Sequence, residues 1–270
     1  FHFWCLTRHK KNEIKNNIFA FFLDIIFKSI KLDKSLYTNS RYFGEAGIYF
    51  AGLIMILDGV AGAIAAKHLS NPGSTKAGII GAGIQAKLQI EALTLVRKID
   101  TVFIWARDSK KVNQYIKELS KLNINFKACS SPEEVVIRSE IVVTATPSKS
   151  YLIKKEWLKK GLHITAMGSD SEQKNELDPH IIKDCDVYVP DSLSQTKILG
   201  ELHHAINNNL ILPNANYNEL GNVIIDSSLG RKSKDDVTVC DLTGTGVQDT
   251  SIARQTYEIA MSLQLGTNID

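Results

Sequence analysis

Short apolar runs alternate with stretches of helical spacing between residues 77 and 226 of the chain. Seven of these runs predict strands: AGII (77–80), TVFIWA (101–106), INFKAC (124–129), EIVVTAT (140–146), HITAMG (163–168), DVYVP (186–190) and NVIID (222–226). Most are continuously apolar rather than alternating, which is typical of parallel strands that are buried on both faces. The pattern therefore predicts an α/β fold with a doubly wound parallel sheet.

The stretches between these runs carry helical signals. The first predicted helix has four apolar residues on one face: Ile84, Leu88, Ala92 and Leu95. Ser131, Pro132 and Glu134 supply an N-cap, a first-turn proline and a capping-box carboxylate for a later helix. Asp108 is placed to cap the helix that follows the second strand run.

Two apolar segments precede the first predicted strand, at residues 17–27 and 46–66. The second segment is about long enough to cross a bilayer, but it contains Asp58 and several glycines and continues into a polar sequence. We expect it to form a buried helix that leads into the next domain. The alternative is a membrane anchor.

Composition and charge limit the classes of partner. The chain has 270 residues, of which 44% are hydrophobic and 23% charged, with a formal net charge of +3. This weak, dispersed charge argues against a dedicated nucleic-acid surface. The four cysteines are far apart, which argues against a zinc site or a disulfide scaffold and favours a reducing cytosol. No metal site is predicted, because for the adjacent His203 and His204 a solvated helix end or a packing pair is favoured over a metal or catalytic role.

The turn after the first predicted strand has the spacing of a dinucleotide-binding loop. Gly81, Gly83 and Ala86 form a GxGxxA pattern between a strand and a helix. The first glycine permits a tight turn, the second lets a pyrophosphate approach the backbone, and the small alanine lets the helix pack on the strand. The predicted pyrophosphate site consists of Gly81, Ala82, Gly83, Ile84, Gln85 and Ala86, at the helix N-terminus. The alternative is a glycine turn that only reverses the chain.

The end of the second predicted strand is where a ribose-reading residue is expected. The sequence there is WARD, from Trp105 to Asp108. An acidic residue would bind the 2′-hydroxyl of NAD, whereas an arginine accommodates the 2′-phosphate of NADP. Since Arg107 comes first and Asp108 is a candidate N-cap, we favour NADP(H) over NAD(H). The alternative is that both are ordinary surface charges.

Five motifs occur in order along the chain: GIIGAGIQAKLQIEAL, VFIWARDSKK, EIVVTATPSKS, HITAMGSDSEQKNELD and VTVCDLTGTGVQDTSIA. Together they resemble the ornithine cyclodeaminase/mu-crystallin family, and within it the branch found in ectoine-utilisation clusters. The resemblance runs from about residue 61 to the end of the chain. It implies a Rossmann-type domain at residues 76–245, flanked by a partial substrate and dimerisation domain built from the N-terminal part and the last helix.

The resemblance implies an enzyme that uses NAD(H) or NADP(H) for hydride chemistry at the Cα–N bond of amino acids or cyclic imines. Reactions in this family include cyclodeamination of ornithine, oxidation of alanine or related amino acids, and imine reduction. The cofactor carries the hydride, while the protein positions it and handles protons. We expect a cytoplasmic protein without nucleic-acid or membrane partners, and a homodimer if the N-terminal domain is intact.

Candidate site residues follow from the positions that match the family motifs. Asp170, in GSDSEQKNEL, matches the acidic residue near the nicotinamide that has the acid/base role, and a helix cap is the competing interpretation. The implied lining of the ribose and nicotinamide consists of Thr144, Ala145, Thr146, Met167 and Gly168. Lys174 and Glu176 are interpreted first as surface or loop-closing residues, and Asp249 as an anchor or cap of the last helix.

The chain begins with Phe1, and its first 58 or so residues do not resemble the family. Members carry there a lysine and arginines that grip the substrate carboxylate, whereas the place of the last arginine falls near Leu57, which has no guanidinium. We expect residues 1–60 to be a truncated or out-of-frame substrate segment, with a connecting helix at 61–75 and a C-terminal helix at 246–270. A diverged lineage is the alternative. Because the arginine is missing, the alternative function is that of a catalytically impaired NAD(P)H-binding protein.

Overall fold

A computed structural model describes residues 58–246 together with residues 250 and 254, and these residues contain one parallel sheet. Its strands are β1 (Lys76–Ile80), β2 (Thr101–Trp105), β3 (Asn125–Ala128), β4 (Ile141–Thr144), β5 (His163–Ala166), β6 (Val187–Pro190) and β7 (Thr238–Asp241). The strand order is β3-β2-β1-β4-β5-β7-β6, and every neighbouring pair is parallel. The predicted doubly wound α/β fold is confirmed.

Helices connect the strands and cover both faces of the sheet. They are α1 (residues 58–69), α2 (Ile84–Leu93), α3 (Ser109–Glu118), α4 (Pro132–Arg138), α5 (Pro179–Asp184), α6 (Leu193–Thr196), α7 (Gly200–Asn207) and α8 (Leu220–Ile225), with single 3₁₀ turns at Lys155–Trp157 and Ser227–Leu229. Two predicted caps are present. Asp108 accepts from the backbone N–H of Lys110 at 2.9 Å, and Ser131 accepts from that of Glu134 at 3.1 Å.

One predicted strand is wrong, and one strand was missed. The run NVIID at 222–226 lies in helix α8, where Leu220 and Val223 are buried one helical turn apart. A short apolar run fits either a buried strand or one helical turn, and periodicity alone does not separate the two. The strand that was missed is β7, whose short apolar core directly follows a charged segment.

The central strands are buried on both faces, so their successive side chains enter different cores. Ile80 belongs to the same buried cluster as residues of α4, α5 and α7, whereas its neighbour Ile79 belongs to the cluster that includes residues of α2 and α3. Both isoleucines are fully buried. Burial of such a side chain stabilises the fold by about 1.5–3 kcal/mol. Successive strand residues are therefore apolar, which produces the continuous apolar runs in the sequence.

Helix α2 is present as predicted, but it turns a different face to the core. Its buried residues are Ala86, Gln89, Ile90, Ala92 and Leu93. The predicted core residues Ile84 and Leu95 are 42% and 39% exposed. Helix α1 packs closely across α2, because a β-carbon on Gly59 would lie 3.1 Å from the Leu88 carbonyl oxygen. The orientation of α2 is therefore set by two neighbours, the sheet and α1.

The alanine-rich helix expected before the first strand is α1. Its last turn is held by Arg97, whose guanidinium donates to the carbonyl oxygens of Ala66 at 3.1 Å and Lys67 at 2.8 Å. Within the described ranges, no helix combines the length and apolar character needed to cross a membrane. Most of the apolar segment 46–66, the position of Leu57, Asp249 and nearly all of 246–270 lie outside the described residues.

Candidate functional site

The sheet changes its direction of growth between β1 and β4. From β1 the chain continues to β2 and β3 on one side, and from β4 it continues to β5 on the other. In open parallel sheets, the crevice beyond the carboxyl ends of such a strand pair is the usual ligand site. The predicted glycine turn follows β1, and the predicted Thr144–Thr146 lining begins at the end of β4, so the structure brings them together at this crevice.

Backbone hydrogen bonds continue the sheet for one residue into the crevice. The Gly81 N–H donates to the Trp105 carbonyl oxygen, and the Ala145 N–H donates to that of Ile80, both at 2.9 Å. Gly81 has φ +129°, a conformation that side chains rarely allow. The loop after β1 thus crosses directly beside the loop after β4.

Gly83 forms an open N-terminus for helix α2. It is the N-cap in an extended conformation, no side chain caps the helix, and the first turn contains no acidic residue. A β-carbon on Gly83 would have no described atom within 4 Å. The N–H groups of a first helical turn have no partner within their own helix, so an uncapped end of this kind suits a phosphate.

The Ala86 carbonyl oxygen and the Gln85 side chain join helix α2 to its neighbours. Ala86 is fully buried, and its carbonyl oxygen accepts from the Tyr115 hydroxyl at 2.7 Å, which joins α2 to α3. The Gln85 side chain donates to the Asp58 carboxylate at 2.8 Å, which joins α2 to α1. The glycine turn therefore fits a dinucleotide pyrophosphate, because the backbone is open at Gly83 and helix α2 is fixed to α1 and α3.

The end of β2 presents one exposed cationic side chain and one carboxylate that is partly engaged in a helix cap. Arg107 and Asp108 are exposed, and one oxygen of Asp108, Oδ1, accepts from the Lys110 N–H. Trp105 is half-buried and packs against the core. The N-cap role considered for Asp108 is observed, and the choice between the two ribose types rests on Arg107 and Asp108 together.

The candidate nicotinamide lining lies at the ends of β4 and β5. Thr144 is fully buried, whereas Ala145, Thr146 and Met167 are half-buried. The Met167 N–H donates to the Thr144 carbonyl oxygen at 3.1 Å, so the two strand ends stay paired. Gly168 follows at the same edge and is buried.

Asp170 lies at the exposed end of this edge. Its carboxylate pairs with the ammonium group of Lys174. The residues that follow it form turns and not a helix, so the competing interpretation of Asp170 as a helix cap finds no helix there. The neighbouring Ser169 is buried, and its hydroxyl donates to the carboxylate of Glu201. Asp170 is thus an exposed carboxylate on an anchored segment.

A group of buried carboxylates lies beneath this edge and was not predicted from the sequence. Glu176 was interpreted as a surface or loop-closing residue, but it is fully buried, so only the loop-closing role stands. Glu201 and Asp241 are also buried and were not considered. The signal available was weak: Asp241 ends β7 in CDLTGTG, and Glu201 follows a glycine at a helix start.

Burial dominates the proton affinity of these carboxylates. Burial, with the nearby charge of Asp241, raises the pKa of Glu201 to about 8, against the lowering effect of the Ser169 hydrogen bond. Burial likewise raises the pKa of Asp241 to about 7, against the hydrogen bond from Tyr188. Desolvation disfavours a charged carboxylate unless donors compensate it.

The adjacent histidines belong to packing and not to the crevice. His204 hydrogen-bonds the Lys174 carbonyl oxygen through Nε2 at 2.7 Å, and His203 hydrogen-bonds Asn207 at 3.0 Å. Both are half-buried on α7. The pKa of His204 is lowered, chiefly by burial.

Comparison with known proteins places this geometry in a family. The sequence model of the ornithine cyclodeaminase/mu-crystallin family matches residues 56–264. An uncharacterized cyclodeaminase of Sinorhizobium fredii is 50% identical over 209 residues, which are 77% of this chain and 63% of that protein. The family predicted from the five motifs is confirmed, and the ectoine-utilisation branch stays a prediction.

Solved structures show the same fold. An archaeal alanine dehydrogenase dimer with bound NAD superposes with a TM-score of 0.74 at 35% identity, over 80% of this chain and 67% of that one. The iminosuccinate reductase of Paracoccus denitrificans in complex with NAD⁺ has a TM-score of 0.74 at 29% identity, over 81% and 67%. The chain spans less than two thirds of the length of its Sinorhizobium relative, 63%.

Proposed function

The chain belongs to the ornithine cyclodeaminase/mu-crystallin family, and on that premise we propose that it binds a nicotinamide dinucleotide and performs hydride chemistry at the Cα–N bond of an amino acid or cyclic imine. The observation that carries the proposal is the open, uncapped N-terminus of α2 at Gly83, beside the strand ends that lead to Asp170. The structures of the archaeal alanine dehydrogenase and the Paracoccus reductase both contain NAD.

In this proposal the backbone N–H groups from Gly83 to Ala86 hold the pyrophosphate. A bound nicotinamide dinucleotide supplies the hydride donor or acceptor. Ala145, Thr146, Met167 and Gly168 line its ribose and nicotinamide. These residues come from loops held together by backbone hydrogen bonds, so the lining is preorganised.

Asp170 is the proposed acid/base residue. It is exposed in the loop after β5, on the edge that this proposal gives to the nicotinamide and the substrate. Its ion pair with Lys174 keeps the carboxylate at one place on the loop. An exposed pair of this kind exchanges readily with solvent and substrate, since it contributes little stability.

The cofactor form is proposed to be NADP(H) in preference to NAD(H). Arg107 is exposed next to the crevice, and Oδ1 of Asp108 is engaged in capping α3. A guanidinium suits a 2′-phosphate, whereas a carboxylate repels it. The alternative is NAD(H), since the two solved structures contain NAD. Parallel titrations with NADPH and NADH distinguish the two cofactors.

The reaction and the substrate are tested on the purified full chain. The substrates to screen are L-alanine, L-ornithine, diamines of ectoine breakdown and cyclic imines, with nicotinamide absorbance as the readout. Turnover that Asp170→Asn removes and Glu172→Gln retains would support the assignment, because Glu172 is an exposed carboxylate of the same loop. No turnover with any substrate, despite dinucleotide binding, would favour a binding protein without catalysis.

Assembly and compartment complete the proposal. A homodimer is proposed if the N-terminal domain is intact, because the archaeal alanine dehydrogenase is a dimer. Light scattering on the purified protein tests this. The free thiols Cys129, Cys185 and Cys240 support a reducing compartment such as the cytoplasm. Cell fractionation is the direct measurement.

A further inference from the structure

Glu176 accepts four hydrogen bonds from the ends of β4 and β5. Its Oε1 accepts from the N–H and the hydroxyl of Thr146, both at 2.7 Å. Its Oε2 accepts from the Thr144 hydroxyl and from the Gly168 N–H, both at 2.7 Å. One carboxylate therefore joins two loops that are far apart in sequence.

These donors belong to the edge that the proposed function assigns to the nicotinamide. The Thr144 side chain is fully buried, and its hydroxyl is committed to Glu176, so Thr144 acts on that edge from below. Thr146 and Gly168 bring their backbone N–H groups to the same carboxylate. A shift of Glu176 would move both parts of the edge.

The segment that carries Glu176 is itself anchored on helix α7. Glu201 on that helix accepts from the Glu176 N–H at 2.8 Å and from the Leu177 N–H at 3.1 Å. It also accepts from the hydroxyl of Ser169, the residue before Asp170. The backbone of Glu176 is therefore fixed by Glu201, while its side chain binds the loops that border the crevice.

We propose that Glu176 is a positioning residue for dinucleotide binding, which fixes the loops after β4 and β5 relative to each other and does not itself contact the dinucleotide. This inference rests on the proposed function, because it assigns the two loops to the nicotinamide half of the site. Holding binding groups in one geometry before the ligand arrives reduces the entropic cost of binding.

The donor pattern requires a carboxylate. Each oxygen of Glu176 accepts one backbone N–H, from Thr146 on one side and from Gly168 on the other. A glutamine amide has a single acceptor oxygen, so in either orientation its NH₂ group faces a backbone donor. Burial raises the pKa of Glu176, and the hydrogen bonds from the two threonines oppose that rise.

The test compares cofactor binding with stability in matched variants. Glu176→Gln is paired with Glu140→Gln, because Glu140 also accepts two backbone N–H groups, from Thr75 at 2.8 Å and Lys76 at 3.0 Å, but at the opposite end of the sheet. Thr144→Val removes a single donor with little change in shape, and Thr144→Ser retains the hydroxyl. Calorimetric titration with NADH and NADPH gives Kd, and thermal melts give Tm.

We expect Glu176→Gln to weaken dinucleotide binding about tenfold or more, a change that corresponds to one hydrogen bond to a charged group. Thr144→Val should weaken binding several-fold, and Thr144→Ser should restore it. Glu140→Gln should leave Kd unchanged and lower Tm less than Glu176→Gln does, because both backbone N–H groups donate to the one oxygen Oε2, which an amide retains.

The inference is overturned if the Glu176 and Thr144 variants lower Tm but bind the dinucleotide as the unmodified chain does. Thr144→Val keeps the test decisive should Glu176→Gln not fold. An unmodified chain that binds neither dinucleotide would refute the proposed function itself, which is a different result.

Discussion

Gly81 and Ala145 meet so closely at the crevice that a β-carbon on Gly81 would stand 2.5 Å from the Ala145 carbonyl oxygen. This contact joins the turn after β1 to the loop after β4, and neither loop is free to withdraw, because both continue the backbone pairing of the sheet. A side chain at Gly81 must therefore displace backbone.

Gly81→Ala should destabilise the protein and weaken dinucleotide binding together. The positive φ alone costs about 1–3 kcal/mol for a residue with a side chain, and the contact with Ala145 adds to this. Urea denaturation and calorimetric titration measure the two effects. Gly73→Ala is the matched control, since a β-carbon at Gly73 would meet no described atom within 4 Å.

Gly83→Val should separate the two effects, with dinucleotide binding lost and stability kept. The extended conformation of Gly83, φ −93° and ψ −176°, accepts a branched side chain, so the free energy of unfolding should change by no more than about 0.5 kcal/mol. The valine would occupy the space of the pyrophosphate and weaken dinucleotide binding about a hundredfold or more. Undiminished NADH and NADPH binding in Gly83→Val would refute the assignment of the pyrophosphate site.

Arg107→Ala should reduce the preference for NADPH over NADH by about tenfold, because only the phosphorylated ribose has a charge for the guanidinium to bind. The measurement is the ratio of the two dissociation constants at one salt concentration. Lys98→Ala is the control, because it removes one positive charge near the amino end of β2. An equal loss of affinity for both cofactors would contradict the role given to Arg107.

Asp241 should make the protein less stable as pH rises. Its pKa is raised from an ordinary value of 3.8 to about 7, chiefly by burial. The folded protein therefore binds more protons than the unfolded chain between about pH 4 and pH 7, and the free energy of unfolding decreases through this range. At about 1.4 kcal/mol per pKa unit, the complete effect is about 4 kcal/mol.

Asp241→Asn is a conservative test of this pH dependence. Only Oδ2 accepts hydrogen bonds, from the Tyr188 hydroxyl at 2.8 Å and from the N–H groups of Glu201 and Leu202 at 2.8 and 3.2 Å. The other oxygen, Oδ1, is buried and has no partner among the described residues, so an amide retains the three bonds. Urea melts at about pH 5 and about pH 8 should show a smaller pH effect in the variant. An unchanged pH effect would show that Asp241 is not the source.

Local sequence signals predicted the parts of this fold that depend on local chemistry. Six strand runs, the caps at Asp108 and Ser131, and the glycine turn each depend on residues close together in sequence, and each was found. The run NVIID failed for the same reason, because its residues are compatible with a strand and with a helical turn. Its capping partners Glu219 and Asn222 were the local evidence that favoured the helix.

Features set by distant packing were not predictable in this way. Helix α1 lies against α2 at Gly59 and Leu88, whereas Ile84 on α2 is left exposed. Glu176 was interpreted first as a surface or loop-closing residue, and carboxylates are indeed mostly exposed in folded proteins. Its donors come from positions 144, 146 and 168, and no local pattern indicates that they converge.

The position of β7 has a consequence for the order in which the chain is made. Thr238–Asp241 is the last strand among the described residues, yet it lies between β5 and β6, which are completed long before it. While the chain is being synthesised, the edges of both earlier strands stay unpaired until this segment leaves the ribosome. Unpaired strand edges recruit other chains, so translation that stops before Thr238 should yield an aggregation-prone product.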